Sequence, residues 1–215
     1  MTEKKIIVDY YFDYCCPWTY LSFKRLIQTT TRTASAINWK PVLIADIEAE
    51  IGPKIDSRTL YSSEINYENK DLQDWANYCG LKIIPRNDDS QKISMKALCG
   101  ALFALEANKI DAYSGLVFDA YFADLKDIAN NDILTEIATN LELDLQGFQS
   151  AIDSIQRVEQ LKINATELVE RGGFGSPTMF VGDDMYFGND RMPLVEFSIG
   201  RASGKILVLP GQHGT

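Results

Sequence analysis

Ile6-Ile7-Val8-Asp9-Tyr10-Tyr11-Phe12-Asp13, followed at once by Tyr14-Cys15-Cys16-Pro17-Trp18, is the stretch on which the reading of the chain turns. Its first part is β-branched and aromatic nearly throughout, which suits a strand buried on both faces and predicts one over about residues 5–12. Leu21, Phe23, Leu26 and Ile27 then recur at near-helical spacing. Pro17 suits the first position of that helix, where no N–H is needed, so the helix begins at Cys16 or Pro17. Ile37-Asn38-Trp39-Lys40-Pro41-Val42-Leu43-Ile44 returns to strand composition. A helix between two strands implies a right-handed βαβ unit with a parallel sheet.

Outward from this unit, strand signals vanish between about Arg58 and Arg171 and helical ones repeat. Met95, Leu98, Cys99, Leu102 and Leu105 form one such series, and Ile155, Val158, Leu161, Ala165 and Leu168 another. Turn-like breaks divide the block into roughly five or six helices. After Gly172-Gly173-Phe174-Gly175 the β signals return as Thr178-Met179-Phe180-Val181, a Gly182-Asp183-Asp184 turn and Met185-Tyr186-Phe187, with a last helix near Arg191 to Ser198. The order predicts an α/β fold in which residues 1–50 plus 172–215 form one sheet domain and residues 51–171 an inserted helical domain. A substrate cleft is expected where the two meet, because domain junctions are favoured ligand sites.

The 215 residues carry 21 Lys and Arg against 30 Asp and Glu, a net charge of −9. That surplus repels a phosphate backbone and an anionic membrane, so neither nucleic acid nor membrane is expected as a partner. The one histidine is His213, which excludes histidine-based triads and Cys/His zinc sites, and no metal is expected. Ile6-Ile7-Val8 stops at Asp9, far short of the ~7–15-residue apolar core of a signal peptide, and the chain reads as cytoplasmic with its thiols reduced.

Cys16 stands where the first strand meets the first helix. Free N–H groups and the positive end of the helix dipole favour an anion there, so the thiol is expected to titrate below the ~8.5 of an ordinary cysteine and to be nucleophilic. The competing reading is a small buried hydrophobe. Cys15 is expected to point into the sheet, and Cys79 and Cys99 to pack in apolar helical faces. Gly175-Ser176-Pro177-Thr178 places a proline directly before a strand, a candidate cis peptide whose signal gains meaning only beside Cys16. Asp190, at the start of the last helix, is by itself an ordinary cap.

Asp13-Tyr14-Cys15-Cys16-Pro17-Trp18-Thr19-Tyr20, Gly173-Phe174-Gly175-Ser176-Pro177-Thr178 and Phe187-Gly188-Asn189-Asp190-Arg191 together resemble the bacterial disulfide oxidoreductase (DsbA) superfamily. Within it, the chain is most similar to the branch of kappa-class glutathione transferases and 2-hydroxychromene-2-carboxylate isomerases. Trp39-Lys40-Pro41 and Tyr67 with Asp71 are weaker points of agreement. The resemblance implies a thioredoxin-like fold with a helical insertion, a homodimer, and glutathione bound beside Cys16, Pro17 and Trp18. Cys16 falls where this branch has a serine facing the glutathione thiol and where the oxidoreductases have their nucleophile. Ser176, before Pro177, would pair its backbone with the glutathione cysteine, and Asn189 and Asp190 would meet the γ-glutamyl end. Thr19 replaces the resolving cysteine of a dithiol enzyme, Pro53 lies near an asparagine of the transferases, and Glu64 near a lysine. The resemblance thus leaves a monothiol-disulfide oxidoreductase and a glutathione transferase or isomerase as the enzyme readings, and a non-enzymatic peptide- or metabolite-binding module as the alternative.

Overall fold

Tyr10, Tyr11 and Phe12 are all without solvent exposure, so the first strand is buried on both faces as its composition requires. In the computed structural model, which describes residues 5–52, 62–86 and 93–204, this strand is β1 (Ile7–Phe12). It pairs in parallel with β2 (Ala36–Pro41) and antiparallel with β3 (Thr178–Val181), which pairs antiparallel with β4 (Asp184–Phe187). The strand order is β2-β1-β3-β4. On one face Tyr10 and Phe12 stack with ring centroids 5.5 Å apart and continue into Tyr14 and Trp39. On the other, Tyr11 packs with Val42, Ile47, Leu168 and Phe180.

Pro17 opens α1 (Pro17–Arg32), with Cys16 as its N-cap. The second strand is shorter than its composition suggested. It ends at Pro41, and Ile44 begins a further helix, α2 (Ile44–Ile51). Ile44, Ile47 and Ile51 follow a helical period, and a short apolar run does not by itself separate strand from helix. The deciding contact comes from far along the chain, because an Asp13 carboxylate oxygen accepts the Ile44 N–H at 2.9 Å and caps the helix start.

Between the second and third strands follow α3 (Ser62–Cys79), α4 (Met95–Glu106), α5 (Ile110–Phe118), a π-helical stretch (Asp119–Ala123), α6 (Asn131–Asn140), α7 (Leu145–Ile152) and α8 (Ile155–Glu170). Asn130, Asp144 and Ser154 cap α6, α7 and α8 by accepting backbone N–H groups. Tyr20 of α1 joins the block to the sheet, stacking on Phe118 and Phe122 and donating its hydroxyl to Asp119 at 2.5 Å. On the opposite face Glu167 of α8 accepts from Tyr11 and Lys40, both at 2.8 Å.

The hairpin turn needs Gly182, whose φ is 62°. Gly188, at φ 103°, ends β4 and leads into a 3-10 turn (Asn189–Arg191) and α9 (Met192–Ala202). Among the described residues no helix is long and apolar enough to cross a membrane.

Candidate active site

Three backbone segments meet at Cys16, and Asp13 ties them together. One carboxylate oxygen of this buried aspartate accepts the Cys15 N–H at 3.0 Å, the other holds the start of α2, and its own N–H donates to Ser176 Oγ at 3.0 Å. Ser176 Oγ also bonds Thr19 Oγ1 at 2.7 Å, so the residue standing where a second cysteine would act is part of the scaffold. The Ser176–Pro177 peptide bond is cis. Across this junction the Cys16 thiol donates to the Ser176 carbonyl oxygen at 3.0 Å.

The protonation of Cys16 departs from the sequence expectation. The side chain is 7% exposed, and this burial pushes the thiol above its ordinary value. The Thr19 hydroxyl and N–H and the Trp18 N–H pull the other way, as a helix N-terminus should, while the Asp13 carboxylate raises it further. Desolvation outweighs the N–H groups, and donation to Ser176 O stabilises the neutral form. Cys15 is pushed up to about 12 and Cys99 to about 11, both by burial first. Cys79, at the end of α3, is partly open.

The expected result is that iodoacetamide at neutral pH labels Cys79 before Cys16 in the unliganded protein. Because burial disfavours the thiolate, Cys16 labelling should climb only as pH passes above the ~8.5 of a free thiol. Peptide mapping by mass spectrometry across a pH series checks this; a Cys16 midpoint below ~8.5 contradicts it.

Beside the Cys16 junction lies a cleft of about 470 Å³, in the range of small-ligand sites. Of the sequence candidates, Trp18, Ser176, Pro177, Asn189 and Asp190 line it. Cys16 is not in its wall and reaches it through Ser176; Pro17 serves as the first helical residue. The sequence gives Trp75 and Phe187 no role at a cleft, reads Arg191 as a surface or dimer residue and gives Asp71 no particular part, yet all four border the cleft. Trp75 shares helical spacing on α3 with Leu72 and Cys79, as a core residue would, and only the cleft it lines together with Trp18 shows it as a wall. Arg191 pairs with Asp190 at 3.0 Å, both side chains about half exposed. Pro53 and His213 lie outside the described residues, and Glu64 sits in the first turn of α3. Among the described residues no cluster could hold a metal ion.

A βαβ start completed by a distant ββα, a cysteine at the N-cap position of the first helix and an X-Pro loop facing that cysteine define a thiol-bearing junction on a thioredoxin fold. The chain matches the DSBA-like thioredoxin domain over residues 7–200 and belongs to that family. It is 29% identical over 199 residues to 2-hydroxychromene-2-carboxylate isomerase of Pseudomonas putida, covering 91% of this chain and 95% of that protein. A solved 2-hydroxychromene-2-carboxylate isomerase superposes with a TM-score of 0.80 at 26% identity, covering 92% and 96% of the two chains. Glutathione S-transferase kappa 2 of Caenorhabditis elegans is 24% identical over 91% of this chain and 92% of its own. The chain falls in an enzyme branch of the family.

Proposed function

We propose that the protein is a glutathione-dependent isomerase or transferase in which Cys16 acts as a neutral hydrogen-bond donor to the glutathione sulfur. The observation that carries this reading is the Cys16 thiol itself, buried and donating to Ser176 O. Thiol-disulfide exchange needs a thiolate, and this environment favours the protonated form. A bound tripeptide would bring its cysteinyl N–H to Ser176 O as a neighbouring strand would, and the Cys16 S–H would turn to the incoming sulfur. The glutathione thiolate then adds to a conjugated carbon of the electrophile. In an isomerisation the former double bond, single in the enolate adduct, rotates and the thiolate is expelled as the double bond re-forms; in a conjugation the sulfur stays as a thioether and the enolate carbon takes a proton from solvent, which had received the one lost by the glutathione thiol.

The names of the relatives support 2-hydroxychromene-2-carboxylate, or a similar conjugated ring acid, as the electrophile. A homodimer and a cytoplasmic location are part of the same proposal, and light scattering tests the first. A second reading, monothiol exchange with a disulfide, is favoured by the N–H and hydroxyl groups of Trp18 and Thr19 that stabilise a thiolate at Cys16.

Following 2-hydroxychromene-2-carboxylate by its ultraviolet spectrum, with and without glutathione, should show turnover only when both protein and glutathione are present. Intact mass after exposure to oxidised glutathione should show no stable adduct on Cys16. A quantitative Cys16 adduct without isomerisation moves the assignment to exchange. Glutathione binding with neither outcome moves it to a binding module.

A further inference from the structure

Beneath the Asn189 end of the cleft lies a cation that does not line it. Arg25 of α1 donates through one guanidinium nitrogen to Asn189 O at 2.8 Å and to Asn189 Oδ1 at 3.0 Å. The same guanidinium lies 5.1 Å over the Trp75 ring, so it connects α1, the 3-10 turn and the α3 wall. Asn189 is 3% exposed and borders the cleft.

A carboxamide offers an acceptor on one side and an NH2 group on the other, and arginine has only donors to give. The Arg25 contact therefore fixes which way the amide lies: oxygen toward α1, nitrogen away from it. Nδ2 has no hydrogen-bond partner among the described residues and is not one of their sealed, unpartnered atoms. Nδ2 is thus not sealed from solvent, on a residue that borders the cleft beside Asp190.

We infer that Arg25 is a positioning residue that holds the Asn189 amide oxygen-inward, so that this end of the cleft presents N–H donors and selects a ligand carrying a carboxylate. The identity of that carboxylate, the α-carboxylate of a γ-glutamyl group, rests on the glutathione reading. The role of Arg25 does not.

Two variants test it. Arg25→Met keeps the apolar stem without a donor, and Arg25→Lys restores a donor. In unliganded protein the Asn189 side-chain amide resonances, assigned by their loss in Asn189→Asp, should move in Arg25→Met and return toward wild type in Arg25→Lys. Unmoved resonances in Arg25→Met overturn the inference. In calorimetry, wild type should prefer glutathione over the analogue with 4-aminobutyryl in place of γ-glutamyl, which lacks the α-carboxylate, by roughly tenfold or more. That ratio should fall toward one in Arg25→Met and recover in Arg25→Lys. Equal weakening of both peptides in Arg25→Met reduces Arg25 to a structural prop and overturns carboxylate selection. A wild type that binds neither peptide while its amide resonances respond to Arg25→Met overturns the glutathione reading and leaves the positioning role standing.

Discussion

In Cys16→Ala, glutathione-dependent turnover should fall roughly a hundredfold while the dissociation constant for glutathione stays within about twofold of wild type. The alanine removes the one donor proposed to face the tripeptide sulfur and leaves the contacts proposed at Ser176 and Asp190 in place. The donor's part is to hold the bound peptide's sulfur as thiolate, so its loss lowers the reactive fraction of the complex while the rest of the peptide still binds. Cys16→Ser should equal or exceed the parent, since a hydroxyl donates better than a thiol and fits the same bonding to Ser176 O. Steady-state rates with separate calorimetric titrations measure both quantities. Cys16→Ser activity as low as that of Cys16→Ala would show that sulfur chemistry, not donation, is required.

Asp190→Ala should act in the opposite way, weakening glutathione by about 10–100-fold with kcat at saturation little changed. The carboxylate now rests against Arg191 at 3.0 Å, and a half-exposed ion pair of this kind is worth little by itself. An incoming ammonium group would gain a charge-assisted bond at the cost of a weak one, which makes Asp190 an affinity residue. Gly188 supports it: a Cβ there would come within 2.9 Å of Asp190 Oδ1, and the φ of 103° already favours glycine. A kcat loss in Asp190→Ala as large as the loss of affinity would place Asp190 at the chemistry rather than at the peptide's end.

The parts of the molecule legible in its sequence are those whose cause is local. β1 is written in consecutive β-branched and aromatic residues, the start of α1 in Pro17, and the last hairpin in Gly182. The Ser176–Pro177 loop and the Asn189–Asp190 turn could be assigned together only by the resemblance, because nothing local joins residues so far apart. What escaped has a long-range cause. α2 begins where a carboxylate from the end of β1 meets the Ile44 N–H. The Cys16 thiol is set by burial under the Ser176 loop, which outweighs the helix N-terminus visible in the sequence. Trp75 and Arg25 carry no local sign of a shared role; only the fold sets the Arg25 guanidinium over the Trp75 ring and against the turn at Asn189.

The hydrogen bond from Cys16 to Ser176 spans 160 residues of chain. At ribosomal rates of about 5–20 residues per second, Cys16 is made roughly 8–32 s before the loop that covers it. During that interval the thiol belongs to an unfinished sheet, with β1 lacking its β3 neighbour. The finished junction is therefore also a guard: the loop that helps keep Cys16 protonated is made late, and until β3 docks the Cys16 thiol lacks that cover. Oxidative capture of newly made protein should concentrate in that window and fall away once β3 has docked.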